Sequence, residues 1–156
     1  MIALDWQYSD FPQLTPFAVY EILALRQLVF VVEQNCLFLD ADGYDLSAMH
    51  LMGRRDNRLI AYARILPPGV KYDEHSIGRV VVDPKARNRG FGRAVMLEAM
   101  RRILLADGPV PVRIQAQEHL ADTLYQPLGF ERISGVYDED GIPHVDMRLK
   151  SCRTEG

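Results

Sequence analysis

"VVVDPKARNRGFGRAV", residues 80–95, is the stretch on which the reading of this chain turns. Three valines run into Asp83-Pro84, and β-branched residues closed by a turn dipeptide mark the end of a strand. Lys85, Arg87, Arg89 and Arg93 then crowd around Gly90 and Gly92, and helix formers follow at once. The first amide N–H groups of a helix have no intrahelical partner and carry partial positive charge. Glycines let an anion reach them, and arginines add forked donors suited to phosphate. The stretch therefore describes an anion cradle where a strand hands over to a helix.

The positive charge is local, because the chain of 156 residues carries a net charge of −3. That balance argues against a nucleic-acid or membrane-surface partner. The length suggests one domain over residues 1–156, and 48% hydrophobic with 25% charged residues is ordinary for a soluble globular protein. Cys36 and Cys152 are the only cysteines, far apart, which is no disulfide framework and suggests a reducing compartment. "MIALDWQYSD" lacks the basic and apolar regions of a signal peptide, and "LVFVVEQNCLFLD" is interrupted by Glu33 and Gln34 and too short to span a bilayer. The expected location is the cytoplasm.

Working outward, "ALDWQYSD" reads as a short first strand, followed by a helix capped by Thr15 with Leu25, Leu28, Val29 and Val32 at helical spacing. "LDADGYDLSA" reads as a loop, and "MHLMGRRDNRLIAYARIL" as two strands joined at Arg-Asp-Asn-Arg. "HSIGRVVVD" reads as a fourth strand, apolar enough at its end to be buried on both faces. The helix that follows carries Gly92, Met96, Ala99 and Ile103 on one stripe and a Glu98–Arg102 pair, and stops at Gly108-Pro109. "VRIQAQ" is a fifth strand, "HLADTLYQPLG" a short helix closed by Gly129, and "FERISGVYDEDGIPHVDMRL" a final hairpin across Asp140-Gly141. The order β-α-β-β-β-α-β-α-β-β indicates an α/β fold with a mixed sheet.

Three phosphate-binding readings compete for residues 87–92. A Walker A loop ends in Gly-Lys-Ser/Thr, whereas this loop ends Gly92-Arg93-Ala94; a dinucleotide fingerprint requires a glycine where Val95 stands. The third is R-x-x-G-x-G after a valine strand, and the plain alternative is a solvated basic turn. The R-x-x-G-x-G run resembles motif A of the GCN5-related N-acetyltransferases (GNAT superfamily). "LYQPLGF", residues 124–130, is similar to that family's L-Y-x-x-x-G-F segment, and strand order, spacing and length agree over nearly the whole chain. "LRQLVFVVEQ", "DGYDLSAMHL", "QAQEHL" and "EDGIPHVDM" resemble the ElaA-like branch more narrowly.

The resemblance implies an acyl-CoA N-acyltransferase fold: a mixed, mostly antiparallel sheet with splayed central strands, flanked by helices. It implies acetyl-CoA as co-substrate and direct attack by a small-molecule or peptide amine; the absence of metal-ligand spacing among the four histidines and Cys36 predicts no metal. It leaves monomer and homodimer both open. Val80, Val81 and Val82 would pair with the pantetheine arm, with the backbone N–H near Val82 polarising the thioester carbonyl. Arg87, Asn88, Arg89, Gly90, Phe91, Gly92 and Arg93 would hold the pyrophosphate. Tyr125 would protonate the departing thiolate; its plain alternative is an amphipathic core tyrosine. For the general base, Glu33 competes with a helix-end surface role, and His119, as a proton relay, with an ordinary helix-start residue. Glu118 would touch the pantetheine or simply begin its helix.

His50 and His144 read as structural, bonding loops, and the histidines show no metal-ligand spacing. Phe11, Phe17, Phe30 and Tyr44 are candidates for an acceptor pocket against the ordinary alternative of core aromatics. Arg26 and Arg64 are candidates for a substrate carboxylate against plain surface charge. The R-x-x-V-F-x-x-E pattern at 26–33 keeps a second enzyme reading open, an acyl-homoserine-lactone synthase. A CoA-sensing module without turnover is the non-enzymatic alternative.

Overall fold

The computed structural model describes residues 3–153. Strand β1 (Asp5–Asp10) leads to helix α1 (Pro16–Arg26), whose N-cap is Thr15: its hydroxyl accepts from the Ala18 amide at 3.1 Å, with Pro16 in the first turn. The helix then widens into a π-helical segment, Gln27–Glu33, with bonds from Gln34 N to Val29 O and Cys36 N to Val31 O, both 3.1 Å. Such widening is uncommon and often marks a functional site. It also changes which residues face the core. Leu25 and Val29 are buried, but Leu28 and Val32 are 47% and 68% exposed, so the apolar stripe read at uniform helical spacing is cut in half.

Strands β2 (Met49–Arg55) and β3 (Arg58–Leu66) form the expected hairpin, turning at Asp56 and Asn57, both with positive φ. β4 (His75–Val82) follows, then α2 (Phe91–Asp107), β5 (Val112–Gln117) and α3 (Glu118–Leu120). α3 runs on through a π turn, Ala121–Tyr125, and a 3₁₀ turn, Gln126–Leu128, to Gly129. The last segment divides more finely than one hairpin. Short strands β6 (Glu131–Arg132) and β7 (Tyr137–Glu139) both pair with the same edge of β8 (Ile142–Leu149).

The sheet runs β1-β2-β3-β4-β5-β8-β6, with β7 also on β8, and every pairing is antiparallel except β4 with β5. The α2 stripe of Met96, Ala99 and Ile103 packs on one face with Ala61, Ala63, Ile114 and Val145. α1 and its π-helical continuation cover the other face, placing Ile22, Leu25 and Val29 against Met52, Tyr62 and Val81. Both helices thus cover the β2–β4 half, and the β4–β5 junction lies beside them.

That junction departs from the expectation for β4. The two strands pair only at His75–Val112 and Ser76–Arg113, then diverge. Val81 is buried but Val80 and Val82 are half-buried, because no strand lies beside them on the β5 side. A bulge adds to the divergence. Between the pairs Tyr62–Val81 and Arg64–Gly78, β4 carries one residue more than β3, and Arg79 takes φ 49°.

Candidate active site

The gap between β4 and β5 is the floor of a cleft of about 440 Å³. One wall is the π-helical segment, through Val29, Phe30, Glu33 and Gln34; the other is α3 and its π turn, through His119, Leu120, Leu124 and Tyr125. The loop into α2 closes one end with Arg87, Asn88, Gly90, Phe91 and Gly92. Sequence-distant residues therefore meet the stretch at 80–92.

The backbone presents itself to this cleft. Asp83 N donates to Ile60 O at 2.8 Å, and Tyr62 pairs with Val81. Antiparallel alternation turns the N–H and C=O of Val82 the other way, toward the gap. At the far end Gly90 is the N-cap of α2, with φ 81° and no side chain of its own to cap the first amides. The two glycines are required for different reasons. Gly90 needs its left-handed φ. Gly92 is ordinary helix, and an added Cβ would meet only Leu124 Cδ2, at 3.9 Å. Neither backbone nor packing demands a glycine there, although it costs a helix up to about 1 kcal/mol. Phe91, 5% exposed, anchors the loop in the core.

Tyr125 closes the π turn with its ring edge-on to Phe130, centroids 6.2 Å apart. It is 7% exposed, and no described group hydrogen-bonds its hydroxyl. Burial pushes its pKa up to about 12, so the phenol stays protonated across the working pH range. Glu33 lines the cleft but is ion-paired, its Oε1 2.7 Å from Arg87 Nη2. The base candidate and a phosphate candidate thus hold each other. Glu118 lies outside the cleft lining and faces Arg132 at 3.4 Å. Arg89 and Arg93 are exposed and flank the cradle without lining the cleft.

A second cavity of about 610 Å³ adjoins the first across the divergent strands. It takes in Tyr44, Lys71, Glu139 and Asp140, and it shares Phe30, Gln34, Arg79, Gln115, Gln117 and His144 with the cleft. Gln34 and Gln117 exchange amide hydrogen bonds at 3.3 Å between the π-helical segment and β5. Of the four aromatics considered for an acceptor pocket, Phe30 and Tyr44 line this cavity. Phe17 is 70% exposed, and Phe11 lines a separate apolar pocket beside α1.

The cavity's outer wall, residues 40–45, is tied down by ion pairs that the sequence reading assigned to substrate or to the surface. Arg26 is fully buried and binds Asp40 at 2.8 Å and Asp45 at 2.6 Å; Arg64 binds Asp42 at 2.7 Å and Asp45 at 3.1 Å. Burial opposes ionisation of Asp42 and Asp45, but the bonds and charge of these arginines outweigh it and hold both carboxyls below their usual range. His50 bonds Tyr62 at 2.7 Å and the Asp45 carbonyl at 2.9 Å, the structural role expected of it. Burial lowers its pKa, the pull of Asp45 notwithstanding.

A family profile described as an acetyltransferase (GNAT) domain matches residues 44–151. The chain belongs to the GNAT acetyltransferase family. Within it the chain falls in the ElaA-like branch. ElaA of Escherichia coli is 38% identical over 92% of this chain and 95% of its own length. Its crystal structure superposes with a TM-score of 0.88 over 94% of this chain and 99% of ElaA. An acyl-CoA N-acyltransferase from Pseudomonas aeruginosa, 40% identical, gives 0.87 over 94% of this chain and 99% of its own. A UPF0039 protein of Synechocystis is 41% identical over 92% of this chain and 94% of its length. The acyl-CoA N-acyltransferase fold and the splayed strands are those the resemblance implied.

Sequence reasoning missed Arg79, Gln34, Gln115 and Gln117. Alternation in "VRIQAQ" does put both β5 glutamines on one face, a usable signal. Nothing in "IGRVVV" announces the bulge that turns Arg79 toward Phe30, its guanidinium 4.9 Å from the ring centroid.

Proposed function

We propose that this protein transfers an acyl group, acetyl by preference, from coenzyme A to the amine of a small molecule or peptide by direct attack. The observation that carries the reading is the unpaired β4 edge, running from the N-terminus of α2 to the buried phenol of Tyr125. Each part suits one part of an acyl-CoA. The amides at Gly90–Gly92 and the Arg87 guanidinium suit the pyrophosphate, with Asn88, Arg89 and Arg93 around them. The free edge at Val80–Val82 suits the amides of the pantetheine arm. The Val82 N–H supplies a donor where the thioester oxygen gains negative charge. Tyr125 gives its proton to the thiolate as the C–S bond breaks. The acetyl preference follows the family description and the direct route follows the adjoining cavities, which let donor and acceptor meet without a covalent enzyme intermediate.

Arg26 weighs against the lactone-synthase reading, since half of that Arg…Glu pattern is locked inside the fold against Asp40 and Asp45. The test is thiol release from acetyl-CoA across polyamines, amino acids, aminoglycosides and peptide N-termini, with S-adenosylmethionine included. Amine-dependent release with formation of an amide supports the proposal. Tight CoA binding with no release for any acceptor would make this a CoA-sensing module.

A further inference from the structure

A group that takes the proton of the attacking amine must see both the thioester and the acceptor. Among the described residues, the side chains lining both cavities are Phe30, Gln34, Ile77, Arg79, Gln115, Gln117 and His144. Glutamine amides are not bases, and a guanidinium does not give up its proton in a protein. His144 is what remains. Glu33 and His119 line the donor cleft alone; Lys71, Asp40, Asp42, Glu139 and Asp140 line the acceptor cavity alone.

The position is built as well as central. His144 stands on β8 opposite Gln117 of β5 and Tyr137 of β7. Its neighbours Val145 and Met147 point into the core, so alternation turns the imidazole to the cavity face. The ring stacks on Tyr137, centroids 6.3 Å apart and planes 26° apart. Nδ1 lies 2.8 Å from the Ile142 carbonyl oxygen. A carbonyl only accepts, so Nδ1 carries the proton, and in the neutral ring Nε2 is left with its lone pair. No described group hydrogen-bonds Nε2.

We propose that His144 is the general base of this enzyme; the assignment rests on the acyl-transfer function above. The amine nitrogen forms its bond to the thioester carbon while its N–H proton passes to His144 Nε2. The tetrahedral intermediate collapses, the C–S bond breaks, and the thiolate takes the Tyr125 proton. His144 then loses one proton to solvent and Tyr125 regains one, so amine and acyl-CoA become amide and free CoA. Of the charged and titratable groups around it, Tyr137 from β7 stacks on the imidazole, Arg79 from β4 lines both cavities with it, and Glu139 from β7 and Asp140 from the turn before β8 line the second cavity with it.

Two measurements test it. Long-range ¹H–¹⁵N NMR of the unaltered protein reads the tautomer: Nδ1–H is expected, and an Nε2–H tautomer overturns the assignment. Kinetics then uses acetyl-CoA with the panel amine that the unaltered protein acylates fastest. His144→Gln should lower turnover about 10²–10⁴-fold at neutral pH with CoA affinity unchanged. The deficit should shrink as pH rises and more amine is already neutral, and the acid limb of the rate profile should vanish. Added imidazole should restore part of the rate of His144→Ala. Unchanged turnover of His144→Gln at every pH overturns the base while leaving acyl transfer standing. Absence of CoA binding by the unaltered protein would remove the transfer reading itself.

Discussion

The two cavities share a floor but are made differently. The cleft proposed for the donor is built mainly from backbone: the free edge of β4 and the first turn of α2, where Gly90 and Gly92 bring no side chains. The acceptor cavity is walled by side chains held in place by other side chains, with Arg26 and Arg64 fixing the loop at 40–45 through Asp40, Asp42 and Asp45. A backbone site is set by the fold and tolerates most substitutions around it. A site held by buried charges depends on each member of the network, since removing one partner leaves another charge buried and unpaired. The donor half should therefore fail in binding or chemistry while the fold survives, and the acceptor half should fail in stability.

The largest effect is expected at Tyr125. Tyr125→Phe keeps the ring against Phe130, and no described group is left unpaired. Turnover should fall about 10²–10⁴-fold with CoA affinity intact, or about ten-fold if solvent supplies the proton. Because burial raises the phenol to about 12, loss of its proton should not depress the rate of the unaltered enzyme through the ordinary tyrosine range near ~10. A rate that falls there, and stops falling in Tyr125→Phe, would show a more exposed phenol.

Arg26→Met sharpens the contrast from the other side. It leaves Asp40 with only the longer Arg79 contact at 3.4 Å and Asp45 with only Arg64, and should cost about 3–5 kcal/mol in denaturant unfolding. The same network sets an acid limit. Asp42 and Asp45 have folded pKa values below their unfolded ones, so their contribution is present above the ordinary carboxylate range and lost as pH falls through the depressed values. His50 acts in the same direction over a higher window, because its lowered pKa makes protonation favour unfolding below ~6.5. Melting temperature against pH should show both declines, and Asp45→Asn should flatten the lower one.

How much of this could be read from the chain follows the same division. The strand-to-helix turn at 82–91 and the α3 segment were legible because strand end, glycines, basic residues and "LYQPLGF" are local in sequence. The splay was legible only through family resemblance, since it arises from where β5 stops pairing with β4. The π-helical segment broke the reading of Leu28 and Val32, because uniform periodicity cannot register a change of helical pitch. Arg26 and Arg64 were misplaced because their partners lie 14 to 22 residues away in a loop that looks solvated. His144 reads as structural in the sequence, and its Nδ1 bond to the Ile142 carbonyl agrees with that; the base role proposed for it rests on cavities formed by residues far apart in the chain.

Gly92→Ala is a smaller and more discriminating test. Space exists for the methyl, so the protein should gain up to about 1 kcal/mol of stability while CoA binding weakens. Stability and affinity rising together would mean that no ligand approaches those amides. The smallest effect is expected at Glu33. An exposed pair such as Glu33–Arg87 is worth about 0–1 kcal/mol. Glu33→Gln should free Arg87 and tighten CoA by at most about five-fold, with turnover little changed. A large loss of turnover that recovers at high pH would instead make Glu33 the base and displace His144.

Coenzyme A is proposed to lie along β4 with its pyrophosphate on the amides that open α2. Backbone ¹H–¹⁵N spectra of the unaltered protein titrated with CoA test it most directly. The amides of Val80, Val82 and Gly90–Gly92 are expected to shift together and saturate at one equivalent, while those of α1 stay still. Saturable binding that moves other amides and leaves these unmoved would contradict it.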